Sequence, residues 1–171
     1  MIVNLKDEIW RSLRKEEERR LSMITRTDLD DHTGMDVLNF VAGQEITSIA
    51  KNRNLYNEIE ELILYFKSGN RLHIYHDYDC CEDVTLVDIV GGNIDDLVGQ
   101  QIISMKSVYR QSDERLFGSD ETYLDDSNTW TFVTISTFKD DITLRWHGGS
   151  NGYYSERVDF AYYDENNKRL Y

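Results

Sequence analysis

Nine residues, His76-Asp77-Tyr78-Asp79-Cys80-Cys81-Glu82-Asp83-Val84, hold one histidine, two thiols and four carboxylates. A second polar stretch, Ser150-Asn151-Gly152-Tyr153-Tyr154-Ser155-Glu156, is its counterpart near the end of the chain. A histidine titrating near neutrality acts as a general base when a carboxylate orients it. His76 with Glu82, or His147 with Glu156, fits those roles in a small metal-independent hydrolase or nuclease. Ser150, Ser155 and the two tyrosines would then hold a phosphate or a ribose. Such an enzyme also needs positive charge against its transition state, and only Arg145 and Arg157 lie near in sequence. Metal chemistry is less well served. Zinc ligands are usually spaced by two or more residues, and extended neighbours such as Cys80 and Cys81 point to opposite faces. A disulfide between such neighbours is rarer still. No metal and no cofactor is expected. The bland reading is one cysteine in the core with its neighbour facing the loop, and a tight Gly-containing turn at 150–154.

The elements that must position these stretches are mostly strands. Alternation and turn residues predict strands at 45–50, 84–90 and 101–110, hairpins at 59–77 and 129–147, and a last strand at 153–163. Short helical turns are expected at 36–42, ended by Gly43, and at 94–98, with Asp95 and Asp96 at its start. Residues 4–28 read as a helix with Asn4 as N-cap and Leu5, Ile9 and Leu13 on one stripe. The fold class is therefore α+β: a mostly antiparallel β body, residues 36–171, after a helical extension and linker, residues 1–35. Residues 111–127 read as an acidic loop. No run of about 20 apolar residues exists to cross a membrane as a helix, and the start lacks the apolar core of a secretory signal. With two adjacent cysteines there is no disulfide framework. The expected location is cytoplasmic.

The body reads as two related halves, 36–90 and 94–163. Phe40-Val41-Ala42-Gly43-Gln44-Glu45-Ile46-Thr47-Ser48-Ile49 parallels Leu97-Val98-Gly99-Gln100-Gln101-Ile102-Ile103-Ser104-Met105. Each is followed by a hairpin with Phe-Lys at its turn and an aromatic-His at its end, then a polar loop, an acid and a strand. Matching His76 to His147 sets Ile74 opposite Arg145, so the match carries a one-residue slip within the hairpin.

The net charge of −13 is unevenly spread: residues 1–27 sum to +2 and the remainder to −15. Duplex affinity rests on Lys and Arg neutralising phosphates, so free DNA is not an expected ligand. Such a body attracts a basic protein surface instead. Candidate binding residues are Asp95, Asp96, Asp125, Asp126, Asp140 and Asp141, with Asn151, Tyr153 and Tyr154 from the second polar stretch. Net acidity also simply favours solubility.

His-x-x-Asp-Cys-Cys-Glu-x-Val (76–84), Asp88-Ile89-Val90-Gly91, Asp96-Leu97-Val98-Gly99, Thr129-Trp130-Thr131-Phe132 and the run from Arg145 to Glu156 resemble a family of small uncharacterised proteins of bacteriophages and mobile elements. The resemblance covers roughly residues 38–162. It implies a phage-type protein working in a bacterial host. By analogy with small acidic inhibitors, the expected function is to occupy the basic, nucleic-acid-binding surface of a host or defence protein. An anti-CRISPR-like inhibitor of a Cas nuclease is the most concrete version. The alternative is the hydrolase built on the two histidine–glutamate loops.

Overall fold

The computed structural model describes residues 38–111 and 127–171. The expected helix at 4–28 and the acidic loop, with Asp125 and Asp126, lie outside the described residues. Eight strands follow in order: β1 (Ile46–Arg53), β2 (Ile59–Phe66), β3 (Arg71–Tyr75), β4 (Glu82–Val90), β5 (Ile102–Gln111), β6 (Ser127–Thr137), β7 (Asp141–Ser150) and β8 (Asp159–Tyr163). A helical turn at 38–40 precedes β1, and a 3-10 turn, Ile94–Leu97, precedes β5. All pairings are antiparallel, in the order β5-β6-β7-β4-β2-β3-β8, with β1 also on β2. The mostly antiparallel β character is thus as the alternation demands. Among the described residues no helix is long and apolar enough to cross a membrane.

Period-two alternation decides the core. In β6 and β7 the sequence places Val133, Ile135, Ile142, Leu144 and Trp146 on one face, and all five are fully buried. Leu62, Leu64, Leu72 and Ile74 do the same in β2 and β3. At the turns, Gly69 takes φ +87 after β2, and the Thr137 hydroxyl accepts from the Lys139 and Asp140 N–H groups after β6.

β1–β2–β3 and β5–β6–β7 carry the same pairings. Each set has a register shift near the start of its first strand, between Ile46 and Ser48 and between Ile102 and Ser104, and β1–β2 has a second between Asn52 and Arg53. β3 then pairs with β8, and β7 with β4. The starts of β1 and β5 bond reciprocally. Gly43 N–H donates to Ile102 C=O at 2.8 Å and Gly99 N–H to Ile46 C=O at 2.7 Å. Ile46 N–H donates to Gln100 C=O and Ile102 N–H to Gln44 C=O, both at 2.9 Å. Through this bridge the sheet curls so that β5 meets β1, while β2 has β1 along one edge and shares the other between β3 and β4.

Two expectations are corrected. The last strand begins at Asp159, not 153, because Gly152 at φ +81 and the Asn151 side chain, accepting from Tyr153 N–H, turn the chain out of the ladder. The ends of the two hairpins also do not match histidine to histidine. The pairs Leu64↔Leu72 and Ile135↔Ile142 fix the register, which sets Ile74 at Leu144 and His76 at Trp146. The second turn is one residue shorter, and core parity prevails over the resemblance of the His residues.

Gly91 and Gly99 both have positive φ, but only Gly91 abuts backbone: a Cβ there would lie 2.2 Å from the Asp141 carbonyl oxygen, while one at Gly99 meets nothing within 4 Å. Gly99→Ala is expected to lose about 1–2 kcal/mol, the left-handed cost alone, and Gly91→Ala clearly more, at least about 3 kcal/mol. Urea unfolding of both variants checks the order; equal losses would contradict this packing.

Candidate functional site: an acidic cleft beside two joined loops

The β4–β7 ladder opens with Glu82 opposite Ser150. Both polar stretches lie at this end, and they pack on each other. His76 Nδ1 donates to the Arg157 carbonyl at 2.8 Å, and the Asp77 N–H donates to the Asp159 carboxylate at 3.0 Å. The charge of a Cys80 thiolate, and then hydrogen bonding with it, push the neighbouring Tyr154 phenol up from its ordinary range.

Each loop is wrapped around one buried glutamate. The Glu82 carboxylate accepts from the N–H groups of Asp79 and Cys80, the latter at 3.0 Å to Oε2. The Glu156 carboxylate accepts from the Thr129 hydroxyl at 2.7 Å and from the Ser150 hydroxyl. Local sequence explains the first arrangement: Cys81 at φ +55 turns the chain back so that the two preceding N–H groups face the Glu82 side chain.

Of the two expected histidine–glutamate pairs, one is formed. His76 Nε2 lies 3.5 Å from Glu82 Oε1, with the two side chains 5% and 1% exposed. Nε2 itself is buried without a hydrogen-bond partner, and Nδ1, facing a carbonyl, carries the proton. His147 and Glu156 are not brought together. Thr129 and Gly148 pair on the face that Glu156 covers, and a Cβ at Gly148 would strike the Glu156 carbonyl at 2.4 Å. Trp130 and His147, one residue on, point to the other face, with ring centroids 4.9 Å apart. Arg145 and Arg157 are not aimed at either pair. Arg145 meets Asp88 at 3.2 Å and lies over Trp130, and Arg157 lies over Tyr109.

The cysteines also depart from expectation. Neither is in the core: Cys80 is exposed and Cys81 half-buried, and both are free. The turn at Cys81 puts their sulfurs on one side, 2.8 Å apart. Among the described residues no group of three or more His, Cys, Asp or Glu side chains is placed to hold a metal.

The expected acidic binders are dispersed. Asp95 is paired with Lys51 at 2.9 Å. Asp96, in the same 3-10 turn, is exposed, Asp140 is half-buried in the β6–β7 turn, and Asp141 is exposed at the start of β7. These four lie toward the other end of the β4–β7 ladder from the loops, as Val90↔Thr143 fixes. Asn151 is spent on its own turn, Tyr153 is exposed, and Tyr154 stacks edge-on against Tyr153 at 5.2 Å.

The larger acidic feature is one that the motifs did not single out. β2 and β4 pair only at Ile59↔Leu86 and then diverge. The gap is a cleft of about 460 Å³ lined by Glu60, Glu61, Tyr75, His76, Tyr78, Asp83 and Val84. Glu61 is tied to His73 at 2.7 Å. Glu60 and Asp83 have no ion-pair partner among the described residues. Burial, then the nearby Glu58 and Glu60, push the Asp83 carboxyl above its ordinary range, with His76 opposing. Burial likewise raises the Tyr75 phenol, with Asp159 and Asp77 adding to it and Arg169 opposing. The signal in sequence was the run Glu58-Ile59-Glu60, whose alternation sends two acids to one face. What it lacked was the position of Asp83.

Residues 39–160 match a family described as "Domain of unknown function (DUF7448)". No curated protein and no solved structure matches the chain.

A carboxyl raised on folding takes up a proton when the chain folds. Its stabilising contribution is therefore full below the ordinary Asp pKa of 3.8 and fades as pH rises through the folded value. Asp83→Asn is expected to flatten that arm of the stability–pH curve and to raise the urea midpoint at neutral pH. A lower neutral midpoint for Asp83→Asn would refute the repulsion.

Proposed function

The chain belongs to the DUF7448 family, and from that premise we propose that it is a binding protein whose acidic cleft receives a basic side chain from a protein partner. The observation that carries this reading is the cluster of Glu60 and Asp83 with Glu58 close by: burial first, then these neighbouring acids, raise the Asp83 carboxyl, with His76 opposing. A guanidinium or ammonium in the cleft would relieve that repulsion. Tyr75 and Tyr78 in the lining offer ring faces to the same cation. The net charge of −15 beyond residue 27 steers such a partner from a distance.

The partner this chemistry fits best is a host protein with a basic, nucleic-acid-binding surface. In the phage-type setting that the motifs resemble, the most concrete case is a Cas nuclease in the bacterial cytoplasm, held off its nucleic acid by an anti-CRISPR-like inhibitor. The hydrolase reading draws less support. His76 Nε2 and the Glu82 carboxylate are closed in by their own loop, and a general base must reach the proton it takes.

We also read the body as two related halves, each a helical turn followed by four strands. The reciprocal bonds of Gly43 and Gly99 and the two equally placed register shifts support that reading. Each half would lend its last strand to the other, since β4 lies on β7 and β8 on β3.

Titration with an arginine-rich peptide is expected to give saturable binding that weakens steeply with salt. The Glu60→Gln/Asp83→Asn pair should weaken it about tenfold, or about 1.4 kcal/mol. Asp95→Asn, whose carboxylate Lys51 already holds, should leave it within twofold or so. Affinity capture from bacterial lysate at low and high salt then identifies the partner. Nucleic-acid cleavage that His76→Ala abolishes, with no cleft-dependent binding, would replace this reading with the hydrolase.

A further inference from the structure

The two thiols at 80 and 81 are free, 2.8 Å apart and on the same side of the chain. Extended neighbours would point apart, so the turn at Cys81 is what builds the pair. Three uses of such a pair can be weighed by geometry. Zinc needs about four ligands, and among the described residues no third or fourth is gathered here. A direct disulfide is strained, because neighbouring Cα atoms stand about 3.8 Å apart, short of the roughly 4.4–6.8 Å that a relaxed disulfide spans. A single bridging atom removes that conflict, since each sulfur then bonds to the bridge and not to its neighbour. A linear two-coordinate ion would need the sulfurs on opposite sides of it. A pyramidal three-coordinate centre takes two sulfurs close together on one side.

We propose that Cys80 and Cys81 form a dithiol site for a trivalent arsenical. The exchange balances without an oxidant. Two arsenic–oxygen bonds break and two arsenic–sulfur bonds form. The two thiol protons leave with the two hydroxyls as water, and no electrons are transferred. Cys80, the more exposed, reacts first. Cys81, whose thiol is held above its ordinary range by the hydrogen bond with Cys80, closes the chelate. The Cys80 N–H bond to Glu82 fixes the loop in the chelating shape before the ligand arrives, which lowers the ordering cost of binding.

Phenylarsine oxide is the probe, and intact mass after a challenge with excess monothiol is the readout. One adduct per chain should survive the challenge in the native protein and be lost to a small dithiol. Cys80→Ser and Cys81→Ser should each lose the surviving adduct while near-ultraviolet circular dichroism shows the fold intact. Native protein should bind about tenfold more tightly than the same chain in denaturant. Three results overturn the proposal: single-cysteine variants that keep the adduct, equal affinity in denaturant, or no adduct together with a two-hydrogen mass loss on treatment with glutathione disulfide.

Discussion

A carboxylate removed from water must be given donors, and this chain gives them to two. Glu82 is closed around by backbone N–H groups of its own loop, and Glu156 by hydroxyls from two strands. An unpaired buried charge would cost several kcal/mol, so neither loop is free to adopt another path while the sheet is formed. The shape of the loop end of the molecule follows from those few bonds. They place His76 under the Arg157 carbonyl, turn the two thiols to one side, and hold Tyr78 at the mouth of the cleft.

The acids of this protein thus fall into different classes by their surroundings. Glu82 and Glu156 are buried and hydrogen-bonded. Asp95, Asp88 and Glu45 sit in ion pairs with Lys51, Arg145 and Lys67, and Glu61 is hydrogen-bonded to His73. Glu60 is exposed and Asp83 only partly shielded from water, neither has an ion-pair partner among the described residues, and they repel. Net charge alone cannot separate these classes, since it sums over all of them. The distinction matters because an acid already buried with its donors or held in an ion pair has less to gain from a cation outside the chain.

Sequence patterning reached the strands because a period of two is a local property. The alternation in Arg71–Tyr75 and Thr129–Phe138 needs no partner strand to be visible, and the observed strands lie within a few residues of those expected. Gly43 and Gly99 were likewise readable as turn endings, and both take left-handed φ. Patterning failed where one residue changes the face. The shared aromatic-His ending suggested matched histidines, yet aligning the two hairpins on the pairs Leu64↔Leu72 and Ile135↔Ile142 puts His76 at the position of Trp146. Tyr153 to Val158 has strand-forming residues, yet the Asn151 side chain and Gly152 turn it into a loop.

Composition and alternation by themselves determined a β-rich, acidic body with two polar loops after corresponding hairpins, because burial of apolar faces and turn chemistry act on neighbours in the chain. Only the tertiary structure decided that these loops touch, that His147 and Glu156 face apart, and that Asp83 lies near Glu60. Those relations join residues far apart in sequence, and they depend on which strands pair and where β2 and β4 part.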